Sequence, residues 1–284
     1  VEGLNILAEE PRPIDGIPDW FNESRQAGWE LSQKLAMPSR KDEEWRFAKL
    51  RHLNFKNVRL PDSSKEQESR GTKGLDKCSA RFGFVNDCLT ERESNLPAEV
   101  ICLPLLEALE EHSELLQQYF MKAEARLGSA KFAALHKAHV SSGMFIYVPD
   151  GVEVEDPIEV SHWITEDHVV TFPHTLVVTG RNAQVSVVDY FQSDASAQGS
   201  WTIPVNELVA GPGSQLTYLA LQDLSDESRI IQLSHTSVAR DATAKSFILN
   251  SGAAWVRQES LSQLVGENSH SDMLSVSIAR DGQE

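Results

Sequence analysis

His136 and His139 stand three apart, the spacing that lays two imidazoles on one face of a helix and lets both reach one metal ion. His162, His168 and His174 recur every six residues, an even step that keeps side chains on one face of a strand. Neither set completes a known site. No HExxH accompanies the first pair, and Pro173 with the Glu166-Asp167 turn interrupts any single strand through the second. All five histidines are weak metal candidates whose simplest role is packing. Asp189 with Asp194, and Asp223 with Asp226, have the form of the acid and base or nucleophile pair of a sugar-cleaving β-helix enzyme. Each lies near turn residues, where an aspartate is accounted for by hydrogen bonds to local backbone. No GxSxG elbow, GxxxxGK[ST] loop or GxGxxG turn is present, so the residues alone point to no catalytic residue.

The three cysteines, Cys78, Cys88 and Cys102, are spaced unlike a CxxC metal knuckle or a disulfide framework, which fits a reducing compartment. A balance of 26 basic against 42 acidic residues gives −16, a field that repels phosphate backbones and anionic lipid. Nucleic acid and membrane are therefore not expected partners. The charge is uneven: residues 1–140 carry 20 Lys/Arg against 23 Asp/Glu, and residues 141–284 carry 6 against 19. No apolar run approaches the roughly 18 residues of a membrane span, and no signal-like leader opens the chain.

The elements that must position these residues fall into two regimes. Asp19 is placed to cap a helix with apolar positions Trp20, Phe21, Ala27, Leu31 and Leu35, ended by Pro38. A second helix is expected from Ser39 as N-cap, with Asp42 as its capping-box partner and Trp45 and Leu50 packed on the first helix. Two strand-like pieces, 82–85 and 100–103, flank a polar excursion; helices follow over 105–120 and 129–139. Beyond residue 144 the period changes from 3.6 to 2 and helices vanish.

A repeated turn then appears: Gly180-Arg-Asn-Ala183, Gly211-Pro-Gly-Ser214, Ala239-Arg-Asp-Ala242, Gly266-Glu-Asn-Ser269 and Ala279-Arg-Asp-Gly282. The first three spacings are 31, 28 and 27, each one coil of a flattened β-solenoid, and the last, 13, is about half a coil. An antiparallel sandwich also has turns every 8 to 12 residues, but the longer period favours the solenoid. The expected organisation is a helical region over 1–60, a polar mobile loop over 61–80, a mixed α/β segment over 81–143 and a β-helix core over 144–284.

Several stretches together resemble the SufB/SufD family of iron-sulfur cluster assembly proteins, and more closely its SufD branch. Pro38-Ser-Arg40-Lys41-Asp-Glu-Glu44-Trp45-Arg-Phe47 resembles the branch's N-terminal signature. Phe145-Ile-Tyr-Val-Pro149 with Gly151, Pro173-His-Thr-Leu-Val-Val178 with His174 in place of the usual Arg, and Gly252 through Arg257 to Gly266-Glu-Asn-Ser269 resemble its core motifs. The resemblance implies a right-handed parallel β-helix behind a helical N-terminal region, with the signature residues Pro38, Arg40, Lys41, Glu44, Trp45, Gly151, Pro173, Gly252, Arg257 and Gly266 serving structure. It also implies a non-catalytic scaffold subunit that pairs with a SufB-like subunit and a SufC-like ABC ATPase and is linked to iron acquisition. No cofactor is then expected on this chain alone; the iron-sulfur cluster and the ATP belong to the complex. The family's C-terminal ATPase-docking domain is absent from this chain, which reads as truncated, and an open last coil makes a homodimer a further expectation. The implied compartment is the cytoplasm, or the plastid stroma in a plant or alga. The alternative is a β-helix protein that binds or cleaves carbohydrate.

Overall fold

The computed structural model describes residues 5–71, 74–195, 197–280 and 282–284. After a short 3₁₀ turn come helix α1 (Asp19–Lys34), strands β1 (Ala80–Val85), β2 (Cys88–Ser94) and β3 (Ile101–Pro104), and helices α2 (Leu105–Glu111), α3 (Ser113–Tyr119) and α4 (Ala130–His139). Among the described residues only strands follow: β4 (Ser142–Val148), β5 (Ile158–Ile164), β6 (Val170–Thr171), β7 (Pro173–Thr179), β8 (Gln184–Ser193), β9 (Trp201–Thr202), β10 (Val205–Ala210), β11 (Gln215–Asp223), β12 (Arg229–Val238), β13 (Thr243–Asn250), β14 (Trp255–Leu264) and β15 (His270–Ser277).

Successive strands alternate between two parallel sheets and make a β-solenoid of about five turns. One sheet runs β5, β8, β11, β13, β15; the other runs β4, β7, β10, β12, β14. The register reproduces the turn spacing: Gln184 pairs with Gln215, 31 residues on, Gln215 with Thr243, 28 on, and Thr243 with His270, 27 on. At four corners the third turn residue has a left-handed backbone, Asn182 (φ 52°), Gly213 (71°), Asp241 (57°) and Asn268 (55°). Asn, Asp and Gly tolerate that conformation, which is why they recur there. Each corner is tied to the next: Asn182 N–H donates to Pro212 O (2.9 Å), Gly213 N–H to Arg240 O (2.9 Å) and Asp241 N–H to Glu267 O (3.0 Å). Asp281, in the last of the five repeated turns, and Thr72 and Lys73, in the polar stretch, lie outside the described residues.

Inward side chains at alternate positions form one core, with Val185 and Val187 of β8 paired with Leu216 and Tyr218 of β11, and Phe191, Ala220, Val177, Leu208 and Ile230 in the same cluster. The sheet containing β7 is buried on both faces, so Pro173–Thr179 is enclosed throughout. Its outer face packs Leu176 and Val178 on Phe21, Leu105, Leu109, Leu116 and Phe120, and Ile231, Leu233 and Trp201 on Phe55, Phe132 and Leu135. Gly252 is pressed on the preceding coil, where a Cβ would overlap the Leu224 backbone. Gly252→Ala is expected to cost about 1–3 kcal/mol as overpacking, seen as a lower urea midpoint with an unchanged slope.

Four local expectations need correction. Residues 39–52 form no α-helix, only 3₁₀ turns at Glu43–Trp45 and Leu50–His52. The capping chemistry is present, since Asp42 Oδ2 accepts from Ser39 N–H (2.7 Å), but the helix does not propagate because Trp45 is drawn into a distant contact. Helix α1 is preceded by Pro18, with no side-chain cap; Asp19 is its first residue, and its buried stripe is Phe21, Arg25, Gly28 and Ser32, while Leu31 is exposed. The expected helix over 105–120 breaks at His112 (ψ 34°). The polar excursion contains β2, an edge strand whose CLTERES sequence lacks the alternation of a half-buried strand.

Candidate functional site

Three of the signature residues, Glu44, Trp45 and Arg257, converge where the N-terminal region meets the outer face of β14. Trp45 is fully buried, stacked on Trp255 (centroids 6.2 Å apart) and beside Phe132 (5.9 Å), and its Nε1–H donates to Gly128 O (2.8 Å). The Arg257 guanidinium lies 4.1 Å over the indole, close enough for cation–π attraction. Arg257 also donates to Glu44 O (2.9 Å), Leu127 O (3.0 Å) and Glu259 Oε1 (2.6 Å). Glu259, itself buried, accepts from the Ser129 hydroxyl (2.6 Å) at the start of α4. Three segments are thus tied to one arginine fork. Trp45 therefore packs on α4 and the solenoid, correcting the expected packing on the first helix.

A second seam lies one strand pair away. His136 Nδ1 meets Ile203 O (2.7 Å), His136 Nε2 meets His174 Nδ1 (3.1 Å), and His174 Nε2 faces Glu207 Oε2 (3.2 Å). A carbonyl only accepts, so His136 Nδ1 carries hydrogen; burial and the neighbouring histidines push its pKa well below the ordinary value and keep it neutral. Its Nε2 must then accept from His174 Nδ1–H. One more proton is required between His174 Nε2 and Glu207, or two acceptors would face each other. Met121 N–H also donates to Glu207 Oε2 (2.6 Å), so the same oxygen is shared by the loop backbone and His174. The pair pins the 121–127 loop to β7 and β10.

Asp189 is not in a turn but in the middle of β8, fully buried inside the solenoid. Its Oδ2 accepts from Thr175 Oγ (2.6 Å) and Tyr218 OH (2.9 Å), and its Oδ1 faces His162 Nε2 (3.2 Å). His162 is stacked between Phe84 and Phe191 (5.2 and 5.4 Å). No sugar reaches this carboxylate, so the acid/base reading of Asp189 fails on access. Asp194 is ion-paired with Arg70 (2.7 Å), and Asp223 and Asp226 stand at solenoid corners.

The half-buried Asp87 carboxyl and the buried His139 imidazole set opposing pH responses. Burial pushes the Asp87 carboxyl up to about 6, so its neutral form is favoured in the fold and stability is lost as pH rises from 3.8 through 6. Burial, then the charge of Arg25, push His139 down to about 4, so stability is lost as pH falls from 6.5 through 4. The two largely offset between pH 4 and 6. Asp87→Asn removes one side: the variant should gain up to about 3 kcal/mol at pH 7 and lose stability more steeply than the parent toward pH 4, measured by urea unfolding.

His136 and His139 share α4 and both pack on Phe172, His136 edge-on (6.1 Å) and His139 stacked (5.4 Å), with no contact between the two rings among the described residues. His168 occupies a left-handed turn position (φ 51°). The five candidate histidines are thus dispersed, except for the His136–His174 contact, and among the described residues no group of three or more His, Cys, Asp or Glu is arranged to hold a metal ion. Gly151 and Gly266 lie at solenoid corners, Pro173 opens β7, and Pro38 is half-buried before the exposed Arg40 and Lys41. Burial raises all three thiols, Cys102 to about 12, so none is a thiolate near neutrality. Sequence reasoning missed Glu207, Glu259, Tyr218 and Asp87. Asp189 had a readable signal, because it continues the inward alternation Val185, Val187, Asp189, Phe191.

Residues 14–160 match the SufBD protein N-terminal region, and residues 162–284 match the SufBD core domain of SUF-system FeS cluster assembly. The chain belongs to the SufBD family. It is 26% identical to the iron-sulfur cluster assembly protein SufD of Bacillus subtilis over 94% of this chain and 63% of that protein. It is 27% identical to SufB of the same organism over 62% of this chain and 38% of that protein. An iron-sulfur cluster assembly SufBD family protein of Staphylococcus aureus is 24% identical over 98% of this chain and 63% of its own length. The chain thus spans less than two thirds of the curated SufD and SufBD relatives it matches. Both seams lie within the family's two matched regions and join one to the other. Among the described residues no helix is long and apolar enough to cross a membrane.

Proposed function

We propose that the chain is a non-catalytic scaffold part of a SUF-type assembly complex, pairing with a SufB-type subunit and, through its parent protein, with a SufC-type ATPase. The observation that carries this reading is the SufBD match across both regions, with SufD similarity over 94% of the chain. The location of its reactive groups supports the same reading. His136, His174 and Glu207 hold elements together, and Asp189 and His162 are enclosed, so work on iron-sulfur cargo falls to surfaces shared with partners. A link to iron acquisition is part of the proposal. Deleting the parent gene should lower the activity of iron-sulfur enzymes in the source cell, and both the wild-type gene and its Asp189→Asn variant should restore it. Full enzyme activity in the deletion strain, with no alternative assembly system present, would sink the reading.

A further inference from the structure

A cleft of about 500 Å³ lies between residues 9–12, helix α1, the end of α4 and residues 59–65, away from both seams. That is the size range of small-molecule sites. Its inner wall holds Arg25 (6% exposed) and His139 (3% exposed). Arg25 Nη1 donates to Arg12 O (2.8 Å) and weakly to Asn22 Oδ1 (3.4 Å), while Nε is buried with no partner. Among the described residues the guanidinium has no carboxylate within ion-pair distance. Both ring nitrogens of His139 are buried without a well-formed hydrogen bond, and the Glu9 backbone is a polar neighbour that favours the charged ring.

Three carboxylates share the lining, Glu9, Glu10 and Asp62, and among the described residues none is ion-paired with Arg25. Glu10 accepts from Gln26 (3.1 Å), and Asp62 accepts from the Ser64 hydroxyl (2.6 Å). Arg59 and Lys65 at the mouth share Glu166 (2.7 and 3.5 Å), and exposed Arg12 makes no ion pair among the described residues. A buried cation without a counter-charge is costly, and a guanidinium whose Nη1 is committed to a carbonyl still presents the Nε–Nη2 edge. That edge carries two parallel N–H donors at the separation of two oxygens of a carboxylate or phosphate.

We propose that this cleft binds a small oxyanion, a carboxylate or phosphate group, held side-on by the Nε–Nη2 edge of Arg25 with His139 as second donor and Arg12 and Lys65 at the mouth. A bound anion opposes the Arg25 charge that now disfavours protonated His139, so binding and His139 protonation are coupled.

The test uses the whole chain in chloride buffer at fixed ionic strength, titrated separately with inorganic phosphate and with succinate, and followed by the ring NMR signals of His139. Saturable shifts with a Kd below about 10 mM, and a His139 titration moved to higher pH, are expected for at least one anion. Response to phosphate alone or to succinate alone identifies the group. Arg25→Gln should weaken binding at least roughly tenfold; should it not fold, the exposed Arg12→Ser variant should still weaken binding severalfold. Glu9→Gln should leave binding intact. His139 signals unmoved by both anions up to about 50 mM would overturn the proposal, as would anion binding that appears only in Glu9→Gln, which would make Glu9 the internal counter-charge.

Discussion

Arg257→Ala should lower the unfolding free energy by roughly 3–5 kcal/mol, the cost of leaving a buried carboxylate without its cation. In the wild type Arg257 neutralises Glu259 (2.6 Å), satisfies the Glu44 and Leu127 carbonyls and covers the Trp45 indole (4.1 Å). Alanine removes all four contacts and leaves Glu259 with the Ser129 hydroxyl and N–H alone. Arg257→Lys should recover less than half of the loss, because an ammonium cannot fork to three acceptors on different segments. Equilibrium urea unfolding at pH 7, followed by tryptophan fluorescence, measures both. A loss below about 1 kcal/mol would show that the convergence of Trp45, Glu44 and Arg257 carries little energy.

Glu207→Ala should cost more than Glu207→Gln. Alanine strands His174, which is fully buried, and the Met121 N–H, and should cost roughly 3–5 kcal/mol. Glutamine keeps the volume, but Met121 N–H and His174 Nε2 both address Oε2; with the amide oxygen there the Met121 bond is kept and the ion pair is lost, so its cost should be about 1–3 kcal/mol, less than that of alanine. Equal losses for the two substitutions would contradict a role for the Met121–Glu207 hydrogen bond in holding the loop.

Much of the solenoid is readable from one dimension, because a coil repeats its geometry at each corner. The left-handed third turn position selects Asn, Asp or Gly at 182, 213, 241 and 268, and the spacings of those turns are the strand registers themselves. The N-terminal region is less legible for a physical reason. Ser39 and Asp42 carry a helix-start pattern, yet the chain is directed by Trp45 stacking on Trp255, a partner no local window contains. The histidine seam is hidden for the same reason: His136, His174 and Glu207 come from α4, β7 and β10 and have no common spacing. Asp189 was obscured by nearby turn residues, although its place in the inward alternation was visible.

The central claim, that function resides in protein contacts, is tested most directly by co-expressing the full-length parent with the SufB-type and SufC-type subunits of its source and weighing the purified species in solution. The expected result is one stable complex holding all three subunits, retained by Asp189→Asn and Gly252→Ala at temperatures where the variants stay folded. A parent protein that purifies folded and alone, with SufB-type and SufC-type subunits assembling fully without it, would contradict the claim.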